Sequence, residues 1–353
     1  MKQRLLTLGI RVIIIAAWVF VCTIFLWLPS IVERFYTTKS ITILAWPTLI
    51  DTQKLHEFEK DTGIKVHVRY FENNEELYAK IKGTKGAGYD LIMPSDYMVD
   101  IMIKDSLLKK IDKTKLTFFS DLHPHLVGNY YDPHNEYSMP FFWSVYGIAI
   151  DKDYFATHEL KKSWALVFDP KLAQPHTSMI DDARELILIA ARYLFGNISS
   201  LNDAQLQEIQ ALLIQQKQWV EVYTEDRANY LLASKACPVA VILSAVVARI
   251  MRTFKNIEFF IPEEGSFLVI DSFAMPAASN KDEYVYSFLN YMYKPEVLSH
   301  YINKFGYFSP LKTSDTSHEA FAILGPNKFT KVDFFRNIIS KKQMSNIWIA
   351  LKS

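Results

Sequence analysis

Two acidic residues at helical spacing are the first candidates for chemistry in this sequence. Asp182 and Glu185 stand three positions apart in the segment Asp181-Asp182-Ala183-Arg184-Glu185, so a helix would place both carboxylates on one face. The same spacing is typical of a capping box, with Asp182 as the N-cap. The capping box is the commoner role, and the two roles are compatible. A carboxylate fixed at the start of a helix can also point into a cleft.

Aromatic and polar side chains follow the ends of predicted strands. Trp46 closes one strand, Ser95 and Tyr97 follow a second, and Asp271 follows a third strand at 268–270. Ligands of open α/β sheets bind beyond the carboxyl ends of the strands. Single Trp and Tyr residues are more often core or rim residues. Aromatic faces combined with three carboxylates nevertheless favour an organic cation, because one ring contributes ~0.5–2 kcal/mol and one charge-assisted hydrogen bond about 1.5–3 kcal/mol.

Motifs of common enzyme classes are absent from the sequence. It contains no Walker loop, dinucleotide fingerprint, C-x-x-C pair, H-E-x-x-H or G-x-S-x-G elbow, which argues against nucleotide, zinc and serine-hydrolase chemistry. His123 and His125 form an H-x-H pair, but the neighbouring Pro124 and Pro133 predict an irregular loop of solvated histidines. We therefore expect no catalysis, no metal and no cofactor, and a hydrolase is the weakest hypothesis.

Composition and charge exclude further classes. The 353 residues are 50% apolar, and 39 basic residues nearly cancel 38 acidic ones. These values argue against disorder and against general nucleic-acid binding. The length predicts about two domains. Cys237 is the only cysteine beyond the N-terminal segment, so no disulfide is expected in the rest of the chain.

The N-terminal segment predicts export from the cytoplasm. Lys2, Arg4 and Arg11 precede an uncharged apolar run over 12–30, close to the ~20 residues that cross a bilayer as a helix. Positive charge before the run keeps the N-terminus inside. Residues 1–37 are thus expected to be a signal peptide or a signal anchor. A retained anchor is favoured, while cleavage and lipidation at Cys22 stay open.

Strand and helix signals alternate after this segment. The pattern predicts strands at 40–46, 64–70 and 91–93, and helices at 51–62 and 75–82. Gly63 is expected to end the first helix, and Gly83 and Gly86 the second. Farther along, helices are expected over 182–195, from Asn202 or Asp203 to about 220, and over 283–292. The apolar run 239–247 fits a strand or a helix. The expected fold class is α/β.

Several stretches, taken in order, match one known family. They are TGIKV at 62–66, FENNEELYAK at 71–80, YDLIMPSDY at 89–97, DDARE at 181–185 and AVVAR at 245–249. On these residues the chain, from about 41 to about 310, resembles the spermidine/putrescine-binding proteins of bacterial polyamine ABC importers. The resemblance implies a two-lobe periplasmic-binding-protein fold of type II, with a hinge of crossing strands. One lobe would comprise 38–146 and 270–316, and the other 147–269 and 317–353.

The resemblance also assigns the ligand site. Asp182, Glu185 and Asp271 would hold amino groups, and aromatic rings would cover the methylenes between them. Asp96, an acid where the family usually has a neutral residue, is an additional candidate. The full set of implied ligand-binding residues is Trp46, Ser95, Tyr97, Asp182, Glu185, Asp271 and Tyr307.

The implied function is capture of a polyamine outside the cytoplasm. The protein would be a periplasmic monomer that delivers the solute to the permease of an ABC importer. If the anchor is retained, it is expected to be tethered to the inner membrane. Nucleic acid is not expected as a partner. Leu49, Val241 and Val269 stand where the family has cleft aromatics. This difference keeps two alternatives open. One is a smaller amine or a zwitterion as solute, and the other is an anchored docking protein that binds no solute.

Overall fold

The computed structural model describes residues 16–18, 20, 21, 23, 39–47, 49–224, 227–312 and 331–353. Most of the predicted apolar segment over 12–30 lies outside these residues, as do the charges that precede it. Within the part of the chain that the structure describes, no helix has both the length and the apolar character needed to cross a bilayer.

Strands and helices alternate along the described chain, which confirms the α/β class. The strands are β1 (Ser40–Ala45), β2 (Lys65–Tyr70), β3 (Leu91–Ile92), β4 (Ser138–Asp151), β5 (Thr177–Met179), β6 (Val220–Tyr223), β7 (Val239–Leu243), β8 (Ile257–Phe260), β9 (Ser266–Ala274) and β10 (Val332–Phe334). The helices are α1 (Thr52–Thr62), α2 (Asn74–Thr84), α3 (Asp96–Lys104), α4 (Lys152–Phe155), α5 (Ala165–Phe168), α6 (Ala183–Phe195), α7 (Asp203–Gln216), α8 (Ala228–Ala233), α9 (Ser244–Met251), α10 (Asp282–Met292), α11 (Pro295–Phe305) and α12 (Lys341–Lys352).

The strands form a mixed sheet in the order β2-β1-β3-β9-β4-β7-β5-β6. β1 is parallel to β2 and β3, and β5 is parallel to β6 and β7. β9 runs antiparallel to both β3 and β4. Parallel strands joined by crossover helices bring their carboxyl ends to one edge, so the loops after β1 and β3 are placed side by side.

β4 is the longest of these strands and is buried along its whole length. Its first half pairs with β9, from Ser138 opposite Ala274 to Val145 opposite Leu268. Its second half pairs with β7 and β8. Sequence analysis does not predict this strand, because a strand that is buried on both faces has no alternating polar side.

Two large apolar clusters share β4. The first contains Phe141 and Phe142 with side chains from β1, α1, α10 and α11. The second contains Tyr146, Ile148 and Ile150 with side chains from β5, β7, α6 and α7. β4 therefore belongs to both cores and connects them.

Several helix ends follow the predicted signals, but those of α2 and α7 do not. The second of these helices is predicted to run to about 220, but it ends at Gln216, and Val220 begins β6. Asp51 caps α1 by accepting a hydrogen bond from the backbone N–H of Gln53 at 3.0 Å, and Gly63 ends the helix with φ of 70°. The end of α2 lies between the two predicted glycines, since the helix continues through Gly83 to Thr84, and Lys85, directly before Gly86, is its C-cap. A single glycine costs a helix only about 1 kcal/mol relative to alanine, too little to end it.

The apolar run 239–247 contains both a strand and a helix. β7 ends at Leu243 and α9 begins at Ser244. The Ser244 hydroxyl accepts a hydrogen bond from the backbone N–H of Val145 at 3.0 Å and contacts the Ser144 hydroxyl at 2.9 Å. These contacts with β4 fix the change of direction. An apolar run alone does not distinguish the two element types.

Substitution of Gly306 by alanine is expected to destabilise the protein by about 2–4 kcal/mol. Gly306 ends α11 with φ of 79°, and a Cβ atom there would lie 2.5 Å from the carbonyl oxygen of Ala245 on α9. Gly63→Ala is the matched control, because Gly63 has φ of 70° but a Cβ atom would meet nothing within 4 Å. It is expected to cost about 1–2 kcal/mol. Equal losses in denaturant unfolding would refute a close contact between α9 and α11.

Candidate functional site

Asp271 lies inside β9 and not at the end of a strand. Sequence analysis expects the strand to end at 270, but β9 continues to Ala274. Asp271 pairs with Phe142 on β4 and forms an isolated bridge with Ser95. Backbone pairing with β4 extends β9 past the charged side chain of Asp271, whereas the local sequence pattern ends the strand there.

Ser95 connects Asp271 to the ends of two helices. Its Oγ donates a hydrogen bond to Asp271 Oδ1 at 2.9 Å. Asn74 at the start of α2 donates from Nδ2 to Ser95 Oγ at 3.1 Å and accepts the Ser95 backbone N–H at 3.1 Å. Ser95 is the N-cap of α3 but makes no capping hydrogen bond with its side chain. The hydroxyl is thus used to orient Asp271, and Asn74 is a positioning residue that sequence analysis misses.

Trp46 faces the same carboxylate. It follows β1, is half-buried, and packs on Phe71 with ring centroids 4.4 Å apart. Its indole Nε1 is buried without a partner at hydrogen-bonding distance among the described residues. The indole N–H nevertheless lies close enough to Asp271 to lower the pKa of that carboxyl. Trp46, Ser95 and Asp271 therefore come together as the sequence predicts.

Burial dominates the electrostatics of Asp271. It raises the pKa of the Asp271 carboxyl to about 6, against the opposing effects of Ser95 and Trp46. The residue is largely buried but keeps some exposure to solvent. A carboxylate in this state is suited to pairing with a cation, because a positive charge would replace the hydration that burial removes.

Asp96 lies beneath the surface. The residue is 0% exposed, and its Oδ1 accepts the backbone N–H of Tyr97 at 2.6 Å. Burial and, to a smaller extent, the charge of Asp271 raise the pKa of Asp96 well above its usual range. Burial thus works against the negative charge that the sequence suggests at this position.

Asp182 and Glu185 stand at the start of α6. Asp182 is the N-cap, and its Oδ1 accepts the backbone N–H of Glu185 at 2.9 Å. This confirms one half of the capping box. The Glu185 side chain instead accepts a hydrogen bond from the Tyr146 hydroxyl at 2.5 Å. Burial raises the pKa of Asp182.

Arg184 covers the ring of Tyr97. Its guanidinium carbon lies 4.3 Å from the centroid of that ring. Tyr97 is 3% exposed, and burial together with the charges of Asp182 and Glu75 raises its pKa. The structure thus brings Tyr97 to the two predicted acids of α6. One face of the Tyr97 ring is occupied by Arg184.

Glu75 is a site residue that sequence analysis misses. More than a third of its surface is open to solvent, yet burial and the charge of Asp182 raise its pKa. This combination is expected of a side chain that lines a cleft. The sequence feature that could have identified Glu75 is its position as an acid in the first turn of α2, inside the stretch 71–80 that carries the family resemblance.

The remaining predicted residues are more dispersed. Tyr307 is half-buried and stacks on Phe142, with centroids 5.0 Å apart and planes 14° apart. Phe142 on β4 is the strand partner of Asp271 on β9. Leu49 and Val241 are each 1% exposed and belong to the two cores. Val269 is partly exposed. Of the three replaced aromatics, only the one at 269 therefore stands at a surface.

The histidine pair shows no ligating arrangement. The rings of His123 and His125 stack with centroids 5.4 Å apart. In the described ranges, no group of three His, Cys, Asp or Glu side chains is arranged to hold a metal ion.

Tyr146→Phe is expected to destabilise the protein by about 1–3 kcal/mol, because a half-buried carboxylate loses a donor. Tyr154→Phe is the matched control, since the Tyr154 hydroxyl donates to the neutral Gln174 amide at 2.9 Å. Urea unfolding should show the larger loss for Tyr146→Phe. A loss no greater than that of the control would contradict a strong hydrogen bond from Tyr146 to the Glu185 carboxyl group.

Comparison with known proteins decides the family. The family described as bacterial extracellular solute-binding protein matches residues 53–322. The chain belongs to this family. The solute-binding protein is 34% identical over 274 residues to the spermidine/putrescine-binding periplasmic protein of Salmonella typhimurium, covering 75% of this chain and 76% of the relative. It is 33% identical over 270 residues to the protein of the same description from Escherichia coli, with the same coverage.

Solved structures confirm the fold of the solute-binding protein. The spermidine/putrescine ABC transporter substrate-binding protein PotD from Streptococcus pneumoniae matches with a TM-score of 0.74 at 24% identity, covering 89% of this chain and 98% of that one. The fold is that of the periplasmic binding proteins. The family resemblance is thereby confirmed, and the protein is a solute-binding protein of the extracytoplasmic class, not an enzyme.

Proposed function

We propose that this solute-binding protein captures a polyamine of the spermidine/putrescine class and delivers it to the permease of an ABC importer. The observation that carries the proposal is the partly accessible Asp271, oriented by Ser95 and facing Trp46. An oriented carboxylate beside an aromatic ring recognises an ammonium group. The relatives that are described as spermidine/putrescine-binding proteins support the same solute class.

The proposed mechanism is capture between two lobes. Their bounds are those expected from the sequence, with one lobe at 38–146 and 270–316 and the other at 147–269 and 317–353. The two separate cores and the strands that they share, β4 and β9, support this division. Asp271 and Trp46 belong to the first lobe, and Asp182 and Glu185 to the second. Closure around a polyamine would bring carboxylates from both lobes to its amino groups and exclude water, which strengthens each ion pair.

The proposed location is the periplasm, with a tether to the inner membrane through the apolar run 12–30. The run and the positive charges before it support the tether. The protein is proposed to act as a monomer, because capture requires only the two lobes of one chain.

Calorimetric titration with putrescine, cadaverine, spermidine and spermine tests the proposal. The purified full-length chain should first be unfolded and refolded, so that no co-purified solute masks the site. We expect micromolar or tighter binding of one amine, about −8 kcal/mol or better. 1,5-Pentanediol, which has the cadaverine chain without its charges, is the control and should not bind. Absence of heat with all four amines would refute the proposal.

A further inference from the structure

Arg184 is a buried cation among the predicted solute-binding acids. The residue is 6% exposed, although arginine side chains at a cleft are normally solvated. Its guanidinium lies on the Tyr97 ring, and its charge lowers the pKa of Glu75 and Asp182. The charge of Lys341 also lowers the pKa of Glu75, but the Lys341 side chain is exposed. Arg184 is therefore the buried positive charge at this end of the site.

The position of Arg184 is fixed from both proposed lobes. Its Nη1 donates a hydrogen bond to Asn337 Oδ1 at 2.5 Å. Asn337 in turn donates from Nδ2 to the Tyr97 carbonyl oxygen at 3.2 Å and to Asp100 Oδ2 at 3.2 Å. Arg184 on α6 is thus linked through Asn337 to Tyr97 on α3, and this link holds the guanidinium over the α3 side of the cleft.

One donor of this guanidinium remains open. Arg184 Nε is buried and has no hydrogen-bond partner within the described residues. A buried unpaired donor costs about 1–3 kcal/mol. Arg192 Nε on the same helix is also buried without a partner among the described residues, so the Tyr97 ring and the nearby acids are what distinguish Arg184. The acids around Arg184 compensate for its charge without satisfying this nitrogen.

We propose that Arg184 is a resident cation that sets how many positive charges the cleft accepts from its solute. This inference rests on the proposed function. Arg184 occupies the aromatic face and neutralises part of the acidic cluster of Glu75, Asp182 and Glu185. A solute with few charges pairs with Asp271 and with the acids of the cluster whose charge Arg184 leaves uncompensated. A solute with more charges must compete with a cation that cannot leave.

A simple latch between the lobes makes a different prediction. If Arg184 only held the lobes together, its loss would weaken every amine by the same factor. A resident cation instead discriminates between amines, and its removal changes the ratio of their affinities. The ratio of the putrescine and spermine dissociation constants is therefore the readout. Both amines contain the diaminobutane unit, but spermine carries more ammonium groups.

The test compares Arg184→Gln with two matched variants. Arg184→Lys keeps the charge. Arg192→Gln removes a second buried arginine of the same helix, which lies 5.1 Å from the Phe267 ring and pairs with Asp333. The full-length protein and each variant are titrated with putrescine and with spermine. We expect Arg184→Gln to shift the affinity ratio at least tenfold toward spermine. Arg184→Lys and Arg192→Gln should stay within about threefold of the original ratio.

Each outcome decides the inference. An unchanged ratio in Arg184→Gln, with binding retained, overturns it and leaves the proposed function standing. If neither the original protein nor Arg184→Gln binds either amine, both this inference and the proposed function are wrong. Binding by the variant alone refutes the proposed function for the native chain and supports the resident cation. If Arg184→Gln does not fold, Glu75→Gln, which removes an exposed acid of the same cluster, should shift the ratio toward putrescine, and no shift overturns the inference.

Discussion

Asp271→Asn is expected to weaken polyamine binding at least tenfold. The substitution keeps the shape of the side chain and an oxygen that can accept from Ser95 Oγ, but removes the charge. A hydrogen bond to an ionised partner contributes about 1.5–3 kcal/mol, which corresponds to tenfold or more in the dissociation constant. Calorimetric titration of both proteins with the amine that binds best at pH 7.5 measures the loss.

The stability of the same variant separates a binding defect from a folding defect. The pKa of Asp271 rises from 3.8 in the absence of the fold to about 6 within it. The folded protein therefore binds the proton more tightly, and ionisation of Asp271 reduces stability as the pH rises through about 4 to 6. Above pH 6 the full cost is present, about 2–3 kcal/mol. Asp271→Asn should remove it and raise the melting temperature.

The control for Asp271→Asn is Asp61→Asn, at an exposed position of α1. It should change neither affinity nor melting temperature. An unchanged dissociation constant in Asp271→Asn would show that Asp271 does not bind the solute. A weaker constant together with a lower melting temperature would assign the loss to damage of the fold.

Binding should weaken as the pH falls below about 6. Aliphatic amines remain charged across this range, whereas Asp271, whose pKa is raised to about 6 by burial, takes up a proton that a bound ammonium would have to displace. The dissociation constant should then approach a tenfold increase per pH unit below that value. Burial also raises the pKa values of Glu75 and Asp182, so their protonation acts in the same direction.

Titrations at pH 8, 7, 6 and 5 measure this dependence. Affinity should be nearly constant between pH 8 and 7 and should fall between pH 6 and 5. Asp271→Asn should have a weaker affinity throughout and a smaller slope, since one of the titrating groups is removed. Tighter binding at pH 5 than at pH 8, or an identical slope in Asp271→Asn, would exclude Asp271 as the titrating partner of the solute.

Local signals predict those parts of the fold that depend on local physics. Asp51 and Gly63 delimit α1, and Asp182 caps α6, because caps and left-handed ends involve residues only a few positions apart. β4 and the extension of β9 through Asp271 escape prediction. Both depend on pairing between segments that are distant in sequence, which a local pattern does not contain.

The residues of the candidate site also fall into those that the sequence predicts and those that depend on long-range contacts. Trp46, Ser95 and Asp271 were predicted both from strand ends and from the family resemblance. The strand end was wrong for Asp271, which lies inside β9. Asn74, Glu75 and Tyr146 were missed, since their roles depend on what lies opposite them in space. Arg184 stood beside two predicted acids as an ordinary helix residue. Only the approach of α3 to α6 places it on the Tyr97 ring.

The passage of β4 through both cores has a consequence for the folding pathway. The strands that complete the first core arrive late in synthesis, since β3 at Ile92 must wait for β9 at Ala274. Contacts of such long sequence separation are slow to form. Each of the two large clusters takes side chains from both β4 and β9. Completion of either core therefore depends on the same late segment of the chain.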